Sequence, residues 1–177
     1  MRWRGFSPRR QRISEDGKHN HETAMKTATT IPVAETTLYM KRRFRATREQ
    51  VFQAWTDPEK LGRWFAASAD HACSSSEVDL RVGGTFRMAM KHIPSGKDHV
   101  ATGTYEEIRF PERLVFTWSW EGKPENGKSR ITIELRDLNG ETEMRFTQEL
   151  FPNKEVRNDH ERGWMGCFEK LERLLTA

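Results

Sequence analysis

The chain has 177 residues, a length that suits one domain with an extension better than two domains. Hydrophobic residues make up 35% of it and aromatic residues 10%, which is enough for a packed core and excludes a wholly disordered chain. The formal net charge is +4, so the position of that charge decides whether a nucleic-acid-binding protein is indicated.

The excess positive charge lies in the N-terminal segment. Residues 1–34 contain seven Arg and Lys against three Asp and Glu, which leaves 23 of each class in residues 35–177. The segment also has no apolar period, so we expect a disordered basic extension over residues 1–34 and one domain over residues 35–177. Because that domain has no net charge, we expect no nucleic-acid partner.

Cysteine usage and hydropathy bear on the compartment. Cys73 and Cys167 stand far apart and outside any Cys-x-x-Cys motif, which is typical of free thiols in a reducing compartment. No stretch approaches the roughly 20 apolar residues of a membrane helix, and the N-terminus lacks the apolar region of a secretory signal. We therefore expect a cytoplasmic protein without membrane insertion.

The domain is predicted to begin with a strand and two short helices. Residues 36–46 show the alternation of a strand. Thr47 and Gln50 have the spacing of a capping box at a helix N-terminus. Asp57 and Pro58 start a second short helix, with Asp as the cap and Pro at the first helical position.

Six further strands are predicted from Val78 onward. The alternation of Val78, Leu80 and Val82 predicts the second strand, and the Gly pair that follows predicts a turn. Asn139-Gly140 is typical of a hairpin turn. The other strands are predicted near residues 86–90, 99–108, 114–120, 131–135 and 142–150. Because most are joined by hairpin turns, we expect an antiparallel sheet.

The chain is predicted to end in a long amphipathic helix. Asn158 is the predicted N-terminal cap, and one apolar stripe follows it, formed by Trp164, Cys167, Phe168, Leu171, Leu174 and Leu175. Gly163 and Gly166 each cost about 1 kcal/mol of helix propensity relative to Ala. We explain them by close approach of the helix to the sheet or by a weak first turn.

The order of elements predicts an α+β domain in which the long helix covers the apolar face of a curved seven-stranded sheet. Residues 43–65 (RFRATREQVFQAWTDPEKLGRWF) resemble the opening of the activator of heat-shock-protein-90 ATPase homologue family, part of the START-like (SRPBCC) superfamily. Shorter matches follow in the family's order at residues 82–86, 103–105, 113–118 and 163–164. The resemblance implies a helix-grip fold, with two short helices after the first strand and a cavity that accepts hydrophobic ligands.

The inward-facing aromatic and Met side chains have two interpretations, as core or as cavity wall. Aromatic residues with a few polar groups line most small-molecule pockets, and Met adapts to varied shapes. Tyr105, Thr142 and Gln148 are the polar side chains predicted to point inward. The candidate cavity residues are Trp64, Phe65, Phe86, Met88, Met90, Tyr105, Phe116, Trp118, Met144, Phe146, Gln148, Trp164 and Phe168.

Other chemistry finds little support in the sequence. His71 and Cys73 are predicted to lie in a loop, and His92 and His99 flank a turn, but they do not form a set of three or four metal ligands at a known spacing. We find no nucleophile motif and no phosphate-binding Gly-rich loop. We therefore expect no metal, no cofactor and no assignable catalytic residue. A cavity-based cyclase or hydrolase stays an alternative, because sequence does not show which carboxylates are buried.

The favoured hypothesis is a small module that binds an apolar or amphipathic molecule, such as a lipid or a polyketide-like compound. A homodimer is compatible with it. The resemblance also implies a second alternative, a chaperone regulator. Eukaryotic activators in that family have two domains and an Asn-x-Asn-x-Trp-His-Trp motif, and this sequence shows neither. A chaperone partner is therefore the less favoured expectation.

Overall fold

The main element of the fold is a seven-stranded antiparallel sheet, seen in a computed structural model that describes residues 33–177. The strands are β1 (Thr37–Phe44), β2 (His71–Val78), β3 (Thr85–His92), β4 (Lys97–Arg109), β5 (Arg113–Trp120), β6 (Ser129–Asp137) and β7 (Thr142–Glu149). Their order across the sheet is β1-β7-β6-β5-β4-β3-β2. Strands β2 to β7 therefore form one continuous meander, and β1 pairs with the last of them.

Four α-helices accompany the sheet within the described residues: α1 (Val33–Thr36), α2 (Arg48–Thr56), α3 (Pro58–Trp64) and α4 (Lys154–Thr176), with a short 3-10 helix at Pro124–Asn126. None of these helices is long and apolar enough to cross a membrane. The predicted basic extension, residues 1–34, lies outside the described residues except for its last two, which begin α1. The predicted α+β class and helix-grip arrangement are confirmed.

The two short helices start where their caps predict. The hydroxyl of Thr47 accepts a hydrogen bond from the backbone N–H of Gln50 at 3.3 Å, and the side-chain oxygen of Gln50 accepts one from the backbone N–H of Thr47 at 2.8 Å. The carboxylate of Asp57 accepts bonds from the N–H groups of Glu59 and Lys60. These bonds satisfy donors that helix ends otherwise leave free. The predicted capping box is confirmed.

The predicted second strand is wrong beyond Val78. Strand β2 ends there, and the side chains of Leu80 and Val82 are 43% and 62% exposed. Residues 79–84 form a tight turn that depends on Gly84, where a Cβ would lie 2.1 Å from the carbonyl oxygen of Asp79. The Val–Leu alternation was misleading because these side chains are exposed in a turn instead of packed on a sheet.

Strand β2 lies earlier in the chain, in the segment HACSSSEV. It is an edge strand, held to β3 by backbone pairing, and it shows no apolar alternation because neither face is fully buried. The prediction that His71 and Cys73 lie in a loop is therefore wrong. Both belong to this strand.

Helix α4 begins earlier than predicted, because Asn153 and not Asn158 is its cap. The side-chain oxygen of Asn153 accepts a hydrogen bond from the backbone N–H of Val156 at 2.9 Å. Asn158 lies inside the helix. The first turns of α4 are polar and the apolar stripe begins later, so the stripe alone marks the helix start too late.

Gly166 marks a close contact of α4, but with the loop between α3 and β2 and not with the sheet. A Cβ at Gly166 would lie 1.8 Å from the carbonyl oxygen of Ala67, whereas one at Gly163 would lie 3.9 Å from the Cβ of Ala67. Lys170 supports the same contact by donating hydrogen bonds to the carbonyl oxygens of Ser68 and His71, at 2.7 and 3.2 Å. The α3–β2 loop, residues 65–70, is thus fixed to α4.

The core lies between the sheet and α4, with α2 and α3 closing one end. Some polar groups inside it are hydrogen-bonded to one another, whereas the buried indole N–H groups of Trp55 and Trp118 have no partner within the described residues. The indole N–H of Trp164 donates to the side-chain oxygen of Gln148 at 2.7 Å, and the Gln148 amide donates to the hydroxyl of Ser129 at 2.9 Å. Tyr105, Thr142 and Gln148 are all buried, as their predicted strand phases require.

Candidate ligand pocket

A pocket of about 640 Å³ opens between α4, the α3–β2 loop and the sheet. Strands β2 to β5 contribute one or two side chains each, and the β5–β6 loop, residues 121–128, contributes two more. Helix α4 borders the pocket through residues between Asp159 and Cys167. The pocket therefore lies on the side of the interior that α2 and α3 do not close.

One side of the pocket is an apolar wall. Three aromatic rings form its centre, with ring centroids 5.2 Å apart for Trp118 and Trp164, 5.8 Å for Phe65 and Trp118, and 6.3 Å for Phe65 and Trp164. The wall also includes Ala67, Met90 and Cys167. Burial raises the pKa of the Cys167 thiol to about 12, so this side chain is a neutral, apolar part of the wall.

The other side is a polar rim, which consists of Ser68, His71, His99, Trp120, Lys123, Asn126, Asp159, His160 and Arg162. At its base, the indole N–H of Trp120 donates to Nε2 of His160 at 2.9 Å, and Nδ1 of His160 lies 2.8 Å from the carbonyl oxygen of Val156. Because a carbonyl oxygen can only accept a hydrogen bond, the Nδ1 atom of His160 must be the donor in this contact. His160 is therefore neutral here, and burial lowers its pKa.

Two rim histidines belong to a cluster at the edge of the sheet. The centroid of the His71 ring lies 5.0 Å from that of the His92 ring and 6.3 Å from that of the His99 ring. Burial and then the charge of His92 lower the pKa of His71. Burial and then the ammonium of Lys123 lower the pKa of His99. No three His, Cys, Asp or Glu residues in the described part of the chain are arranged to hold a metal ion.

Charge is distributed unevenly around the rim. Arg162 forms an ion pair with Asp159, its neighbour on α4. The Nζ atom of Lys123 lies 3.4 Å from Nδ1 of His99 and 6.0 Å from the centroid of the Trp120 ring. Among residues 33–177 Lys123 forms no ion pair, so the rim has an uncompensated positive charge.

The structure brings together four of the thirteen candidate cavity residues at this pocket: Phe65, Met90, Trp118 and Trp164. The other nine lie away from it in the core, namely Trp64, Phe86, Met88, Tyr105, Phe116, Met144, Phe146, Gln148 and Phe168. Space near several of them is filled by Trp55 of α2, whose ring packs on Phe116, Phe146 and Phe168. That the four residues contact a ligand stays a prediction.

Several rim residues were not among the candidates. Trp120 lies two positions after Trp118 on β5 and so shares its strand phase, a signal that could have identified it. His160 lies four positions before Trp164 on α4, on the same helix face, but the late predicted helix start hid this relation. Lys123 belongs to a loop, and no local pattern in the sequence relates it to the pocket.

Comparison with known proteins gives the chain a family. The model of the family described as Activator of Hsp90 ATPase homolog 1-like protein matches residues 45–176. The human activator of 90 kDa heat shock protein ATPase homolog 1 is 26% identical over 134 residues, which are 76% of this chain and 34% of the human protein. The chain thus spans about a third of the length of this curated relative.

Solved structures agree with this match. A protein from Chromobacterium violaceum superimposes with a TM-score of 0.74 at 27% identity, over 80% of this chain and 98% of that one. A protein from Nitrosomonas europaea gives 0.69 at 27% identity, over 83% and 98%. An HSP90 activator from Plasmodium falciparum gives 0.62 at 25% identity, over 80% and 96%. With its fold, its element order and a match over most of its length in agreement, the chain belongs to the Activator of Hsp90 ATPase homolog 1-like protein family.

Proposed function

We propose that this protein binds a small amphipathic molecule in the pocket between α4 and the sheet. The observation that carries the proposal is a space of about 640 Å³ with an aromatic wall on one side and a polar rim on the other. Small-molecule sites are commonly about 300–1,000 Å³, mostly apolar, and oriented by a few polar groups. An amphipathic molecule matches both sides of this pocket.

The test uses ω-bromoundecanol, because bromine quenches tryptophan fluorescence only at short range and Trp118, Trp120 and Trp164 border the pocket. We expect saturable quenching by the intact chain. Gly163 borders the pocket, and a Cβ there would make only ordinary van der Waals contact. We therefore expect the Leu side chain of Gly163→Leu to occupy the pocket without unfolding the protein.

The matched control is Glu169→Leu, which places the same side chain on the exposed face of α4. Quenching that survives in Glu169→Leu and disappears in Gly163→Leu would support the pocket as the binding site. Equal quenching in both variants, or no saturable quenching in the unaltered chain, would contradict the proposal.

A second candidate function is binding to a heat-shock-protein-90 chaperone. It is favoured by the similarity to the human activator and to the Plasmodium falciparum HSP90 activator. The test is the ATPase rate of the chaperone from the same organism, measured with increasing amounts of this chain. A rate that rises and saturates supports this function, and a rate unchanged at excess protein contradicts it.

A further inference from the structure

We propose that the pocket selects amphiphiles with an anionic headgroup, which Lys123 and His99 hold at the rim while the apolar tail lies against the aromatic wall. This inference rests on the proposed function and adds the chemical class of the ligand. It depends on the positions of the charged rim residues and on their hydrogen bonds.

The balance of charge at the rim is the first argument. The only carboxylate that borders the pocket in residues 33–177 is that of Asp159, and it is paired with Arg162. Lys123 forms no ion pair in the same part of the chain, although its side chain is half-buried. A charged group that is partly removed from water without a counter-charge is destabilised. An anionic ligand supplies that counter-charge, whereas a neutral one leaves the ammonium unpaired.

The second argument concerns hydrogen-bond donors. An ammonium group has three N–H donors and no acceptor, so in the 3.4 Å contact with Lys123 the Nδ1 atom of His99 is the acceptor. The neutral His99 ring then bears its proton on Nε2, which makes it a further donor. Lys123 itself retains two N–H donors beyond this contact. The pair therefore presents donors and no free acceptor, as a carboxylate, sulfonate or phosphate requires.

The third argument is that neighbouring groups hold Lys123 in place. The Trp120 ring lies 6.0 Å from the ammonium, within the range of cation–π attraction. That ring is itself fixed by its hydrogen bond to His160. Because Trp118, on the same strand and in the same phase as Trp120, belongs to the apolar wall, one strand connects the headgroup position with the tail position.

The test compares three amphiphiles that share a brominated undecyl chain: ω-bromoundecanoate, ω-bromoundecanol and ω-bromoundecyltrimethylammonium. We expect the carboxylate to bind about tenfold more tightly than the alcohol, as one charge-assisted hydrogen bond allows, and the ammonium to bind most weakly. In Lys123→Gln, carboxylate affinity should fall about tenfold while alcohol affinity stays unchanged.

Lys128→Gln is the matched control, since Lys128 is an exposed residue of the same β5–β6 loop that does not border the pocket. It should bind all three probes as the unaltered chain does. Equal affinities for carboxylate and alcohol, or an equal effect of Lys123→Gln on both, would contradict selection for an anionic headgroup. Neither result would contradict the binding of amphiphiles in the pocket. Failure of all three probes to quench would remove the binding function itself.

Discussion

The interior of this protein has two ends of similar aromatic content and different packing. At the closed end, the Trp55 ring contacts Trp64 at a centroid distance of 4.7 Å and Phe146 at 6.1 Å, and α2 and α3 fill the remaining space. At the open end, Trp118 and Trp164 lie 5.2 Å apart but border a pocket. Aromatic density therefore does not distinguish a filled core from a pocket wall. The difference lies in which neighbouring segments fill the space beside the rings.

The largest expected effect is a difference in stability between the two ends. Trp64 is fully buried and its indole N–H donates to the carbonyl oxygen of Ala54 at 2.8 Å, so Trp64→Ala should lower the free energy of unfolding by about 4 kcal/mol. Trp120→Ala, at the half-buried rim, should cost about 1 to 2 kcal/mol. Urea unfolding followed by circular dichroism measures both values, and equal losses would contradict the distinction between the ends.

The two glycines of α4 offer a smaller and sharper comparison. Gly166→Ala should destabilise the protein by about 3 kcal/mol, since its Cβ would collide with backbone that has little freedom to move. Gly163→Ala should instead stabilise it by up to about 1 kcal/mol, because the site has room and Ala is the better helix former. Thermal unfolding of both variants tests this. Destabilisation by Gly163→Ala would show that the open end is closely packed after all.

The smallest expected effect is a pH dependence arising at the open end. Burial lowers the pKa of His160 below its ordinary value of 6.5, so the unfolded chain binds the proton more readily than the folded one. Stability from this group is therefore present at neutral pH and is lost as pH falls below about 6.5. His160→Gln should reduce the loss of unfolding free energy between about pH 7 and pH 5. An unaltered pH profile in the variant would contradict the burial of His160.

The fold could be predicted largely because its signals are local. Thr47 with Gln50 and Asp57 with Pro58 specify helix starts through bonds to neighbouring backbone, and Asn139-Gly140 specifies a turn, seen in the positive φ of 59° and 98° at these residues. The sequence did not predict strand β2, because an edge strand can be held in a sheet by backbone pairing alone. Its Ser-rich sequence therefore shows no alternation.

The pocket could be predicted only in part, because it depends on contacts between segments far apart in the chain. Strand and helix phase identify inward-facing side chains but not the space beside them. Phe146 and Trp118 both face inward, yet Phe146 lies in the core beside Trp55 whereas Trp118 borders the pocket. The contribution of Lys123 depends on the course of a loop, which periodicity does not describe.

The division between a wall built on secondary structure and a rim partly built on loops has an evolutionary consequence. Lys123 and Asn126 lie in the β5–β6 loop and Ser68 in the α3–β2 loop, where exchanges of side chains disturb the core least. If the pocket binds a ligand as proposed, relatives can therefore differ in ligand preference through substitutions at these loop positions while they keep the same interior. Sequence identity across the domain would then be a poor guide to shared ligands, and identity at the rim a better one.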